Sequence, residues 1–164
     1  MSTEILEATA YNNLLDVDTA TQLFTNRDEI FGKLGPVFQQ YGNNKFGVCL
    51  VHRHCLLEEG ERMVAKGNVS QPETNGPTYP ERWLATGEAY EFSHEETSLP
   101  SEELLSNFRR IIGDIKVLGL CYVRNEEKDV VVLERTEAEV TSPRSSPPTL
   151  LYGMQSRRLG IQDW

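Results

Sequence analysis

The stretch that decides the fold runs from Phe46 to Lys66 and reads FGVCLVHRHCLLEEGERMVAK. Read as an extended strand, Phe46 to Leu57 places Val48, Leu50, His52, His54 and Leu56 on one face and Cys49, Val51, Arg53, Cys55 and Leu57 on the other. Both faces are apolar, which puts the strand in the middle of a sheet. Glu58-Glu59-Gly60-Glu61 supplies a glycine-containing turn, and Arg62 to Lys66 is expected to return as the hairpin partner.

Working outward toward the N-terminus, Asn26-Arg27-Asp28-Glu29 has the pattern of a capping box. Ile30, Phe31, Leu34, Phe38 and Tyr41 then form one face of a helix that stops at Gly42-Asn43-Asn44. Pro36 lies inside it and predicts a kink or break near Gly35. Residues 1–25 read as an arm or short helices, with a helical segment over Asp18 to Phe24.

Toward the C-terminus, residues 67–80 contain Asn68, Pro72, Asn75, Gly76, Pro77 and Pro80, the composition of a long surface loop suited to binding. Trp83 to Ser93 reads as one strand with Leu84, Thr86, Glu88, Tyr90, Phe92 and His94 on one face. Ser101 caps a helix carrying Leu104, Leu105, Phe108, Ile111 and Ile112, which ends at Gly113. Ile115 to Arg124 and Val130 to Thr136 are two further strands, joined by a polar hairpin loop over residues 125–129. The fold expected is therefore α+β: a mainly antiparallel sheet of about five strands with two main helices packed on one face. One domain spans 26–139, followed by a Pro/Ser-rich linker at 140–149 and an apolar segment at 150–164 that docks as a last strand or binds a partner. Ser142-Pro143 and Ser146-Pro147 are candidate sites for proline-directed phosphorylation.

The chain of 164 residues has a formal net charge of −9, which argues against a general nucleic-acid binder because phosphate neutralisation needs clustered cations. Arg157-Arg158 is the only basic cluster outside the helices. Cys49, Cys55 and Cys121 lie in apolar runs without C-x-x-C spacing and read as reduced, buried thiols. The acidic start MSTEILEATAYNN is not a signal peptide, and no run is long enough to span a membrane, so an intracellular, cytoplasmic protein is expected. Asn68-Val69-Ser70 fits a glycosylation acceptor only by chance in that setting.

Chemistry concentrates at His52 and His54. On a strand their Cβ atoms would lie about 6–7 Å apart on one face, a spacing that can chelate a divalent transition metal. Glu58, just beyond the pair, is the candidate third ligand, and Glu88 and His94 share parity on the next strand. Three readings stand side by side: half-buried core histidines, a metal site formed by His52, His54 and Glu58, or metal-free acid/base use of His52, His54, Glu88 and His94. Tyr79 and Trp83, beside the long loop, and Arg53 are candidate ligand-binding residues, Arg53 being alternatively a partly buried cation paired with a carboxylate such as Glu134.

The spacing Gly47-x4-His52-x-His54-x3-Glu58 resembles the first metal motif of the cupin family, which would imply a divalent ion held by two histidines and a glutamate in a small β-barrel. The glycine spacing differs, the second cupin motif has no counterpart near His94, and the helices do not suit such a barrel. Over most of its length the chain is similar to small uncharacterised proteins of filamentous fungi with a Leu-x-His-Arg-His core, matched by Leu50 to His54 and Gly60. That resemblance implies an intracellular domain and no particular activity. The function expected first is a binding or accessory module for a protein or small molecule, acting through its sheet surface, loop 67–80 and C-terminal segment, with homo-oligomerisation open. The alternative is a small hydrolase, isomerase or lyase with His52 and His54 at its site.

Overall fold

A computed structural model describes residues 3–43, 45–66 and 69–124, together with the backbone of 131–133 and 155–157. The expectations for Asn68, residues 125–129, Glu134, the linker 140–149, the two Ser-Pro sites, Arg158 and the apolar side chains of 150–164 lie outside the described residues.

Among the described residues, four helices and eight strands follow in order: α1 (Ala8–Tyr11), α2 (Val17–Leu23), α3 (Arg27–Tyr41), β1 (Phe46–Leu50), β2 (Arg62–Lys66), β3 (Val69–Glu73), β4 (Tyr79–Leu84), β5 (Ala89–Ser93), α4 (Glu102–Ile112), β6 (Leu118–Tyr122), β7 (Val131–Leu133) and β8 (Gln155–Arg157). The α+β class is as expected. The sheet has six strands in the order β1-β6-β4-β5-β2-β3 and is mixed, because β2 and β5 run parallel while the other neighbours are antiparallel. The expectation of a mainly antiparallel sheet of about five strands is corrected to six strands with one parallel pairing. β7 pairs antiparallel with β8 in a separate ladder, not with β6.

The central correction concerns the opening stretch. β1 stops at Leu50 and lies at one end of the six-stranded order, so it is neither a long central strand nor the hairpin partner of β2. After Val51, whose amide still donates to Val117 O at 2.8 Å, the backbone turns to other partners, with Arg53 N bonding Leu15 O at 2.9 Å. Residues 51–61 then cross the sheet without regular structure and reach β2 beyond β6, β4 and β5. Periodicity reports which side chains are apolar but not which backbone groups will find a ladder partner.

Two other segments also depart from expectation. Residues 67–80 contain the edge strand β3 and the start of β4. The run 83–93 is split by a turn at 85–88, where Gly87 takes φ +106° and Leu84 N bonds Glu88 O at 2.9 Å, so β4 and β5 form a hairpin. A positive φ of that kind is the specific reason for glycine there.

The helices bear out their stripes. α2, α3 and α4 contribute Ala20, Ile30, Leu34, Phe38, Leu104 and Phe108 to a core shared with Val48, Leu50, Trp83, Phe92 and Leu120 of the sheet. Ser101 accepts from Leu104 N at 3.1 Å, and Gly113 ends α4 with φ +56°. α3 runs unbroken through Pro36, since packing of its buried face outweighs one lost amide bond. Its capping box does not form: Asn26 makes no cap bond, and Glu29 pairs with Lys33 at 2.9 Å instead. Gly119 allows β4 and β6 to approach, because a Cβ there would collide with the Trp83 carbonyl oxygen and lie 2.8 Å from a Val51 methyl.

The opposite face of the sheet is covered by the N-terminal arm and by residues 51–61. Cys49, Val51, Leu57, Met63, Tyr90 and Cys121 pack there with Tyr11 of the arm. The arm is fixed to the sheet at Ile5, which bridges Ala89 in parallel: Leu6 N bonds Ala89 O at 2.9 Å and Ala89 N bonds Glu4 O at 2.8 Å. Much of each face of the sheet is thus covered by the chain itself, while the edge strand β3 stays partly exposed. Among the described residues no helix is long and apolar enough to cross a membrane.

Candidate functional site

The arm-covered face encloses a group of polar side chains. Its middle is Glu91 on β5, only 1% exposed. A buried carboxylate needs counter-charge and hydrogen bonds to offset lost hydration. Here Arg82 Nε lies 3.2 Å from Oε2, the Ser70 hydroxyl donates to Oε1, and His54 Nε2 lies 3.6 Å from Oε1. Ring centroids of His52 and His54 are 4.8 Å apart with their planes at 63°. His52 Nδ1 lies 3.0 Å from Leu50 O, and since a carbonyl only accepts, this nitrogen carries the proton. Tyr11 completes the group: its hydroxyl accepts from His54 N at 3.0 Å, and burial, reinforced by the Glu91 charge, pushes its phenol far above the usual range.

A register irregularity brings Glu91 here. Arg82 pairs with Glu91 while Trp83 pairs with Ala89, so Tyr90 is an extra residue in β5. A bulge lets two successive side chains serve the same layer. Tyr90 meets Cys49 Sγ at 3.3 Å, and burial pushes both the phenol and the thiol up.

The sequence-predicted site residues fall in different places. His52 and His54 are together, with His52 2% exposed and the His54 side chain 6% exposed. They lie on the side of Cys49 and Val51, not that of Val48 and Leu50, because alternation ends with the strand. Glu58 does not join them; it sits in the exposed turn where its own amide donates to Glu61 Oε2 at 2.7 Å. Glu88 accepts from the Thr86 hydroxyl in the β4–β5 turn. Trp83 is 0% exposed and packs edge-on against Phe46 at 5.9 Å in the helix-side core, away from Tyr79 at the exposed corner. Arg53 donates to the carbonyls of Asn12 at 3.2 Å and Leu14 at 2.5 Å, which makes it a clamp on the arm.

Among the described residues no group of three or more His, Cys, Asp or Glu side chains is placed to hold a metal ion. The donor chemistry explains this: Arg82 and Ser70 already occupy the Glu91 oxygens, and a guanidinium beside the carboxylate opposes a second cation. The enclosed group does not fit the divalent ion implied by the cupin resemblance.

His94 and Tyr79 belong to a second, solvent-facing place. Glu73, at the end of β3, accepts from Lys66 Nζ at 2.7 Å, Gln71 Nε2 at 3.0 Å and His94 Nε2 at 2.8 Å. The Lys66 ammonium foremost, with these other donors, lowers the Glu73 carboxyl to about 2. His94 Nδ1 lies 3.2 Å from Pro77 O, so the ring ties the 74–78 turn to β5. Tyr79 is 39% exposed beside this corner, through its pairing with Ser93. Arg124 fastens the following link by bonds to Ser93 Oγ at 2.9 Å, Glu95 O at 3.1 Å and Glu96 O at 3.0 Å, over the ring of Tyr122.

Glu91, Arg82, Ser70 and Tyr11 were not singled out by the sequence. One signal was present: a glutamate inside the apolar strand Ala-Tyr-Glu-Phe-Ser is a charge that must be paired wherever it is buried. Compared with family models, curated proteins and solved structures, the chain has no match in any of the three.

Proposed function

We propose that the protein is a small binding module of the cell interior that presents the corner built from the end of β3, the 74–78 turn and the start of β4. The observation that carries this reading is that His52, His54 and Glu91 are closed to solvent while Tyr79 stands exposed beside the corner tied together by the Glu73–His94 pair. Binding residues gather on loops positioned by a rigid scaffold. The net charge of −9 and the exposed Glu95 and Glu96 favour a protein surface of mixed apolar and basic character as the partner. A photo-crosslinking residue at Tyr79 is expected to yield discrete adducts in cells, while the same residue at Arg110 on the outer side of α4 is not. Equal adducts from both, or none from Tyr79, would overturn the proposal.

One observation favours a second reading, a small acid/base enzyme: His54, Glu91 and Tyr11 form a buried titratable cluster of the kind found at active sites. A substrate would then have to reach rings that the 51–61 segment covers. Acylation by diethyl pyrocarbonate separates the readings, with His94, 38% exposed at its side chain, as internal reference. The binding reading expects His94 to react first and His52 and His54 to be protected; faster reaction of the latter two would favour the enzyme.

A further inference from the structure

We infer that the outer edge of β1 accepts a further strand and that its occupant is the chain's own C-terminal segment at β8. β1 stands last in the sheet order and, among the described residues, pairs only with β6. The ladder divides its backbone groups. Val51 N donates to Val117 O at 2.8 Å and Val123 N to Lys45 O at 2.7 Å, so Gly47, Cys49 and Val51 turn their amides toward β6. Alternation then turns the amides and carbonyls of Phe46, Val48 and Leu50 to the outer edge. The Leu50 carbonyl is occupied there by His52 Nδ1 at 3.0 Å.

That edge does not face water. Every residue of β1 is buried, Val48 to 3% exposure. β3, at the other end of the order, shows what an uncovered edge is like: no residue of the strand is fully buried, Val69 is 51% exposed, and Pro72 opposes further pairing. A buried amide without an acceptor is costly, so an edge as enclosed as β1 calls for a partner strand. Two observations name the occupant. Cα atoms of β8 come within 8 Å of those of β1, and the chain that carries β8 leaves the sheet beside β1, since Tyr122 at the end of β6 pairs with Phe46. A tethered segment that starts so near has a high effective concentration at the edge. Its sequence is apolar for a chain end, with Leu150, Leu151, Tyr152 and Ile161 on either side of β8. With β8 on β1 the order becomes β7-β8-β1-β6-β4-β5-β2-β3, and β7 replaces β1 as the edge.

The test is NMR on the unaltered full chain, joined to hydrogen exchange. Nuclear Overhauser contacts are expected between the backbones of residues 155–157 and 46–50, and in a mixture of isotope-labelled and unlabelled chains they should stay within one chain. The Val48 and Leu50 amides should exchange about as slowly as those of Cys49 and Val51. Neighbouring amides of a strand point to opposite edges, so one of Gln155→Pro and Ser156→Pro removes a donor facing β1. That variant is expected to speed exchange at Val48 and Leu50 about tenfold relative to Val51. Several outcomes would overturn the inference: absent contacts, contacts between differently labelled chains, which would put a second copy on the edge, a freely exchanging Val48 amide, or Val48 protection unchanged in both variants. Should the variants fail to fold, the contacts in the unaltered chain decide alone.

Discussion

One face of the sheet lies under α2, α3 and α4 and is held by apolar contacts such as the 6.2 Å approach of the Phe38 and Phe108 rings. The other lies under an arm and an irregular segment, and its contacts are mixed: Met63, Val51 and Tyr90 beside the Glu91–Arg82 pair and two histidines. Helices satisfy their own backbone and need only an apolar stripe to dock. Irregular chain brings unsatisfied amides and carbonyls with it, so its docking depends on specific polar partners. Here Asn12 answers both the amide and the carbonyl of Leu57, at 2.7 and 2.8 Å, and Arg53 answers the arm.

The comparison is sharpened most by substitutions on each side. Phe108→Ala should cost about 3–5 kcal/mol through lost transfer energy and a cavity, and only restored volume should rescue it. Glu91→Ala should cost roughly as much, about 3–5 kcal/mol, because it breaks a buried ion pair and takes that counter-charge from the Arg82 guanidinium. Pairing Glu91→Leu with Arg82→Met should recover most of that loss, measured by denaturant midpoints at constant slope. A double variant as unstable as Glu91→Ala alone would show that the arm-covered face is not organised around that ion pair.

A smaller effect is expected at the exposed corner, where solvent weakens the pairs. Glu73 has its carboxyl lowered from 4.5 to about 2, first by Lys66. A depressed carboxyl contributes stability that is fully present above its unfolded value and is lost as pH falls through the folded one. Acid unfolding followed from about pH 5 to pH 2 should therefore be less steep in Glu73→Gln than in the unaltered chain. Identical slopes would remove Glu73 from the acid response.

The helix-covered side of this protein was legible in its sequence. The Leu104 to Ile112 stripe, the Ser101 cap and the Gly113 stop all describe local conditions, and local conditions suffice for an amphipathic helix. The Ile30 to Phe38 stripe located α3 for the same reason, although the capping box at Asn26 did not form and Pro36 did not break the helix. The strands were harder. The apolar run from Phe46 to Leu57 marked chain that is buried from Phe46 to His52, while Leu56 is 67% exposed, and only its first part is strand, since much of the remainder gives its backbone bonds to the arm.

The sequence by itself determined an α+β chain with two substantial helices, a strand beginning at Phe46 and a His-x-His pair on buried backbone. Tertiary structure decided where β1 stops, that β2 runs parallel to β5, and that a bulge at Tyr90 aims Glu91 toward His54. It also decided which predicted site residues share a place: His52 with His54, His94 with Tyr79, and neither pair with Glu58, Glu88 or Trp83. The reason is physical. Alternation and helical period express the side chains' preference for water or core, residue by residue, whereas pairing and register depend on backbone bonds between segments far apart in the chain.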